Sequence, residues 1–198
     1  MERDLYEPVR SEIESRFKTR FRNCHLEVTA EGKFSDNLKE KVKHDIVSSF
    51  IRRARVGGYA SPDLTGFSMY YGKTNFITVE IKDEELTLDN VYQAKKYADL
   101  FSAKYGFLIS SEAIPTELKK LHKAVSILDH EVEGSSTSDG WIYLARVGGS
   151  SSIPLAKGGV DSGYTATPAP KIMDDSWFPA NPFRKAKRRP QSDSTWGF

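Results

Sequence analysis

Cysteine is almost missing from this chain, with Cys24 the only one. A single thiol excludes a disulfide framework, a cysteine-rich zinc site and an iron–sulfur cluster. No run of about 18 apolar residues occurs, so no membrane-spanning helix is expected. The opening Met1-Glu2-Arg3-Asp4 places charges where a secretory leader needs an apolar stretch. These absences point to a reducing, cytoplasmic setting rather than secretion. Charge of one sign is scarce too: the whole chain sums to +2. Residues 148–198 hold seven Lys/Arg against four Asp/Glu, whereas residues 1–147 hold 22 against 23. The body is therefore no basic coat, and a nucleic-acid surface on it has to be a local patch. The four histidines, His25, His44, His122 and His130, show no metal-ligand spacing.

What is present divides into two parts. Residues 1–147 alternate apolar periodicities of helix and strand. Residues 148–198 carry six of the nine prolines and six of the fourteen glycines, and read as an irregular tail that drapes on the body or binds a partner. In the body, Leu5, Val9, Ile13 and Phe17 recur every fourth residue and predict a helix over 3–20. His25–Thr29 alternates as a weak strand. Leu38, Val42, Ile46 and Phe50 predict a second helix over 36–53, stopped by Gly57-Gly58. Asp63–Tyr71 and Asn75–Lys82 read as a hairpin linked by Gly72-Lys73-Thr74. Asp89-Asn90 is placed to cap a helix running to about Lys104, followed by a buried strand over 106–110. Pro115 opens a last helix with Leu118, Leu121 and Val125 inward. Ser126–Asp129 and Trp141–Val147 read as final strands. This order predicts an α/β fold, a mixed sheet with helices on its faces.

The chemistry concentrates in Pro62-Asp63 and in Phe76-Ile77-Thr78-Val79-Glu80-Ile81-Lys82. Strand side chains alternate between faces, so Glu80 and Lys82 project with Thr78, and Ile77, Val79 and Ile81 project oppositely into a core. Charges on such a core-like strand are costly without partners. Asp63 starts the neighbouring strand and can lie beside them. Two adjacent carboxylates suit Mg²⁺ or Mn²⁺. A lysine next to such an ion can orient or deprotonate water and offset phosphate charge.

Pro62-Asp63 with Glu80-Ile81-Lys82 seventeen positions on resembles the PD-(D/E)xK signature of restriction-endonuclease-like nucleases, whose core is an αβββαβ arrangement. The resemblance covers roughly residues 2–130. It implies that Asp63 and Glu80 bind metal, that Lys82 assists catalysis, and that a glutamate of the first helix can join the site. Glu2, Glu7 and Glu12 are available, and Glu2 is the best placed. Gln93-Ala94-Lys95-Lys96-Tyr97 is similar to the Gln-x-x-x-Tyr motif of RecB-type nucleases. Residues four apart share a helix face, so Gln93 could hydrogen-bond at the site and Tyr97 stack on nucleic acid. The chain lacks the histidine motif and cysteine set of the wider RecB pattern, so this second likeness is partial.

Each residue also has a plainer role open to it. Glu80 and Lys82 could form a solvent-facing pair, Asp63 could cap the turn after Pro62, and Gln93 and Tyr97 could be ordinary surface and core. Lys39, Lys41, Lys43 and His44 could track phosphates or form a solvated helix face. Arg52, Arg53 and Arg55, just before Pro62-Asp63, favour phosphate contact. The expectation is a metal-dependent deoxyribonuclease domain over 1–147 and a tail over 148–198. The alternatives are a catalytically inactive nucleic-acid-binding or adaptor module of the same fold, and a scaffold acting through its tail. Cutting both DNA strands would call for a homodimer. The tail holds Trp177, Phe178, Phe183, a basic run over 184–189, and Trp196 and Phe198. Its Gln191–Phe198 end is similar to sliding-clamp-binding peptides, departing at Ser194 and Gly197, and makes the tail a candidate for a protein partner.

Overall fold

The computed structural model describes residues 1–20, 23–42, 61–70, 72–125, 127–130, 132, 140–148 and 171–173. A short 3-10 turn, Glu2–Leu5, leads into α1, Tyr6–Arg20. There follow β1 (Asn23–Val28), α2 (Asp36–Lys41), β2 (Leu64–Tyr70) and β3 (Lys73–Lys82). The chain continues through α3 (Leu88–Leu100), β4 (Tyr105–Ser110), α4 (Thr116–Val125), β5 (Asp129–His130), β6 (Gly140–Gly148) and β7 (Lys171–Met173). The result is an α/β fold with one mixed sheet in the order β1-β2-β3-β4-β6. β1, β2 and β3 are antiparallel neighbours, whereas β4 lies parallel to β3 and β6 parallel to β4. β5 and β7 both pair with β6, at its opposite ends. Among the described residues no helix is long and apolar enough to cross a membrane.

Helices cover both faces of the sheet. On one face, Val9, Ile13 and Phe17 of α1 bury against Ile77, Val79 and Ile81 of β3 and Phe107 and Ile109 of β4. On the other, Val91, Ala94 and Ala98 of α3 and Leu118 of α4 bury against Leu108, Ile142 and Leu144. The period-four stripe of α1 and the period-two alternation of β3 thus meet as expected. Every residue of β4 is buried, as a strand covered on both faces requires.

The hairpin is tighter than the sequence suggests. Tyr70 already pairs with Lys73, and Gly72 sits at φ 77°, a left-handed conformation that glycine adopts without strain. Gly66 allows β1 to approach, since a Cβ there would run into the His25 carbonyl.

Several expectations need correction. The second helix ends at Lys41, because Val42 adopts φ −80° and ψ 131°; residues 43–53 of the expected helix lie outside the described residues. α3 is capped by Thr87, whose hydroxyl accepts from the Asn90 N–H while Asn90 Oδ1 accepts from the Thr87 N–H. Asn90 is therefore the reciprocal member of a capping box, and Asp89 only sits in the first turn. The helix stops four residues short of Lys104, where Ser102 turns the chain at φ 46°. Val125 ends α4 and is 62% exposed, not inward. Of the strand expected at Ser126–Asp129, Ser126 lies outside the described residues, Ile127 and Leu128 form a turn, and only Asp129 joins a strand, the two-residue β5. The tail is not wholly irregular, since Lys171–Met173 pairs with Arg146–Gly148.

Candidate active site

The antiparallel register of β2 and β3 sets Leu64 opposite Val79. Asp63, one residue before β2, thereby falls beside Glu80. A network of small polar groups holds this turn. Thr29 N–H donates to the Asp63 carbonyl at 2.8 Å, and its hydroxyl donates to the Pro62 carbonyl at 2.7 Å. Ser61 Oγ donates to the Thr29 carbonyl at 2.7 Å, and the Thr29 and Thr65 hydroxyls meet at 2.8 Å. All these groups are buried, so each bond satisfies an otherwise costly polar atom.

Asp63 does not cap its own turn. Its Oδ2 accepts from the Ile81 N–H at 2.7 Å and its Oδ1 from the Tyr6 hydroxyl at 2.8 Å. Burial pushes the Asp63 carboxyl above its ordinary pKa, with the Ile81 and Tyr6 hydrogen bonds opposing. Glu80 is 3% exposed, which excludes the solvent-facing pair. Its Oε1 accepts from Lys82 Nζ at 2.9 Å, and its Oε2 has no hydrogen-bond partner among the described residues. Burial, then the neighbouring Asp63 charge, push the Glu80 carboxyl up to about 7. For Lys82, burial disfavours the ammonium, but the Glu80, Asp63 and Glu2 carboxylates together outweigh it and the pKa rises. Lys82 is thus held as a cation, suited to offsetting negative charge and not to taking a proton.

Of the three N-terminal glutamates, Glu2 reaches this site. Its Oε1 accepts from the same Tyr6 hydroxyl at 3.0 Å, and its charge acts on Asp63, Glu80 and Lys82. Glu7 and Glu12 instead pair with Arg10 and Arg16 along α1. Tyr6 is the site residue that sequence reasoning missed, although Glu2 and Tyr6 stand one helical turn apart.

Gln93 and Tyr97 lie on the α3 face toward the site. Tyr97 is hydrogen-bonded by the Gln93 side chain and senses the charges of Glu80, Asp63 and Lys82; burial, first, raises its pKa. Tyr97 is only 2% exposed and Lys96 Nζ lies 4.5 Å from its ring centroid, so the stacking expected of it would need the ring to be uncovered. A buried ring offers no face to a base. Arg52, Arg53 and Arg55, with Lys43 and His44, lie outside the described residues. Lys39 pairs with Asp36 on α2.

Among the described residues no group of three or more His, Cys, Asp and Glu side chains is gathered to hold a metal ion. The Asp63–Glu80 pair nevertheless fits one. Mg²⁺ is commonly held by one or two carboxylates and keeps its remaining waters. Among the described residues the buried Glu80 Oε2 has no donor to accept from, and a cation is the partner that would satisfy it. Comparison of the chain with protein-family models, curated proteins and solved structures finds no match.

Proposed function

We propose that this chain is a metal-dependent deoxyribonuclease with a restriction-endonuclease-like αβββαβ core, in which Asp63, Glu80 and Lys82 carry the chemistry. One observation supports this above the others: a buried carboxylate pair with an unsatisfied Glu80 Oε2, and a lysine on the opposite Glu80 oxygen. Isolated buried charges are expensive, and a fold that retains two acids and one base together at a strand end has placed them there for use. Apart from α2, which lies between β1 and β2, the order helix, three antiparallel strands, helix and parallel strand is consistent with the core that the Pro62-Asp63 and Glu80-Ile81-Lys82 signature implies.

Asp63 and Glu80 would hold a Mg²⁺ or Mn²⁺ ion through their free lone pairs. When bound, such an ion supplies Lewis acidity, making a water more acidic and drawing charge from a phosphate oxygen. Lys82, kept protonated by Glu80, offsets charge developing on the phosphate. Gln93, fixed by Tyr97, lines the approach from α3. The net change is one new bond from water oxygen to phosphorus and one broken P–O bond, leaving a phosphate monoester and a hydroxyl.

The test is incubation of the full chain with double-stranded, nicked and single-stranded DNA, with Mg²⁺ or Mn²⁺ and with chelator. Metal-dependent cleavage lost in Asp63→Asn is the expected result. DNA binding without cleavage, unchanged by Asp63→Asn and by chelator, would instead identify an inactive binding module.

A further inference from the structure

We propose that Tyr6 is a positioning residue: its phenol holds the Asp63 carboxylate in the orientation that receives the cation. The inference rests on the metal-site reading above and adds to it a residue outside the signature. Tyr6 opens α1 and belongs to the apolar cluster beneath β3, with 8% of its surface exposed. A buried phenol needs an acceptor. Two carboxylate oxygens lie in reach, Asp63 Oδ1 at 2.8 Å and Glu2 Oε1 at 3.0 Å; the phenol has one proton to give, and the shorter distance favours Asp63. The Ile81 N–H takes Asp63 Oδ2 at 2.7 Å.

The Asp63 carboxylate is therefore gripped at both oxygens by donors from two different elements, α1 and β3. That fixes its rotation. Each carboxylate oxygen carries two lone pairs, so the second pair on each remains for a cation beside Glu80. Glu2 Oε1, at 3.0 Å, competes for the same phenol proton, so the hold on Asp63 rests on the shorter of the two contacts. The arrangement ties the start of α1 to the strand end, and Tyr6 itself touches no reacting atom.

The experiment titrates Mn²⁺ calorimetrically into chelator-stripped full chain, wild type and Tyr6→Phe, without DNA. Melting in chelator is measured alongside, and then cleavage across a Mn²⁺ series. Tyr6→Phe keeps the ring and removes only the oxygen. The expected result is a Kd for Mn²⁺ raised about 10-fold or more, the usual effect of losing a group that orients a ligand. The melting temperature should stay close to wild type, and cleavage should recover toward the wild-type rate at saturating Mn²⁺. An unchanged Kd overturns the proposal, as does a variant that fails to fold, since Tyr6 would then be structural. If wild type itself takes up no Mn²⁺, the metal-site reading falls and this inference with it. Equal binding by both proteins removes Tyr6's role alone.

Discussion

Glu80 shows most directly how a single side chain can work against the stability of the fold that holds it. Its carboxyl is pushed up to about 7 from 4.5, chiefly by burial. The folded chain therefore holds this proton more tightly than the unfolded chain does. Stability from this group is greatest below about pH 4.5, falls as pH rises toward 7, and is level above that. Glu80→Gln removes the ionisable group while keeping the shape. Without metal it should melt above wild type at pH 8, by up to roughly 3 kcal/mol, and the difference should shrink as pH falls toward 4.5. Adding Mg²⁺ should raise the wild-type melt and leave Glu80→Gln unmoved, because only the native carboxylate gains a ligand. A pH-independent difference between the two proteins would count against a buried, ionising Glu80. Lys82→Ala should behave differently again. It should leave Mn²⁺ bound and slow cleavage by about 10²-fold or more, the scale for losing one charge-stabilising group. Full activity in Lys82→Ala would remove the lysine from the chemistry. Cys24 stands outside all this: burial pushes its thiol up to about 12, so it should resist alkylation at pH 8 unless the chain is unfolded.

At the level of elements, β3 was legible because its two periodicities agree: Ile77, Val79 and Ile81 bury completely while Glu80 and Lys82 leave on the other face. Asp63 followed from strand adjacency alone. α1 was legible through its apolar stripe, but Tyr6 was hidden in that stripe, since a phenol on a buried face looks like core until its hydroxyl finds an acid. The α3 cap was misread by two residues because Thr87 and Asn90 act as a pair, and neither alone marks the boundary. Tyr97 lies four residues after Gln93 on the same helix, but its ring is buried where Gln93 is half-buried, a difference that spacing alone does not show. Tyr97→Ala should therefore destabilise the fold by about 3–5 kcal/mol, as large aromatic-to-alanine core changes do. Tyr97→Leu, which removes the ring but keeps an apolar side chain, should leave single-stranded DNA affinity unchanged wherever it stays folded, because the ring is buried. Weaker DNA binding by a well-folded Tyr97→Leu, in a fluorescence-anisotropy titration, would support stacking by Tyr97.

Across the whole molecule, the far side of the sheet is finished by a segment that composition assigned to the tail. β6 meets β5 near Trp141 and β7 at Arg146–Gly148. An open strand edge is a template for unwanted pairing, and Lys171–Met173 covers part of this one. Composition could not show it, because three residues amid Pro- and Gly-rich sequence have too little period to read. The consequence is a sharp difference between two truncations. A chain ending at Val147 loses β7, whereas one ending at Asp175 keeps it. With about two backbone hydrogen bonds worth roughly 1 kcal/mol each, the shorter chain should melt about 4–8 °C below the longer one. Both lack the basic run Arg184-Lys185-Ala186-Lys187-Arg188-Arg189, so both should bind DNA more weakly than the full chain and with a shallower salt dependence. Scanning calorimetry and DNA binding over a salt series separate these effects. If the two truncated chains melt together, β7 contributes nothing to stability. If their salt slopes match that of the full chain, the basic run makes no phosphate contacts, and the metal site would have to draw DNA to itself using the body alone.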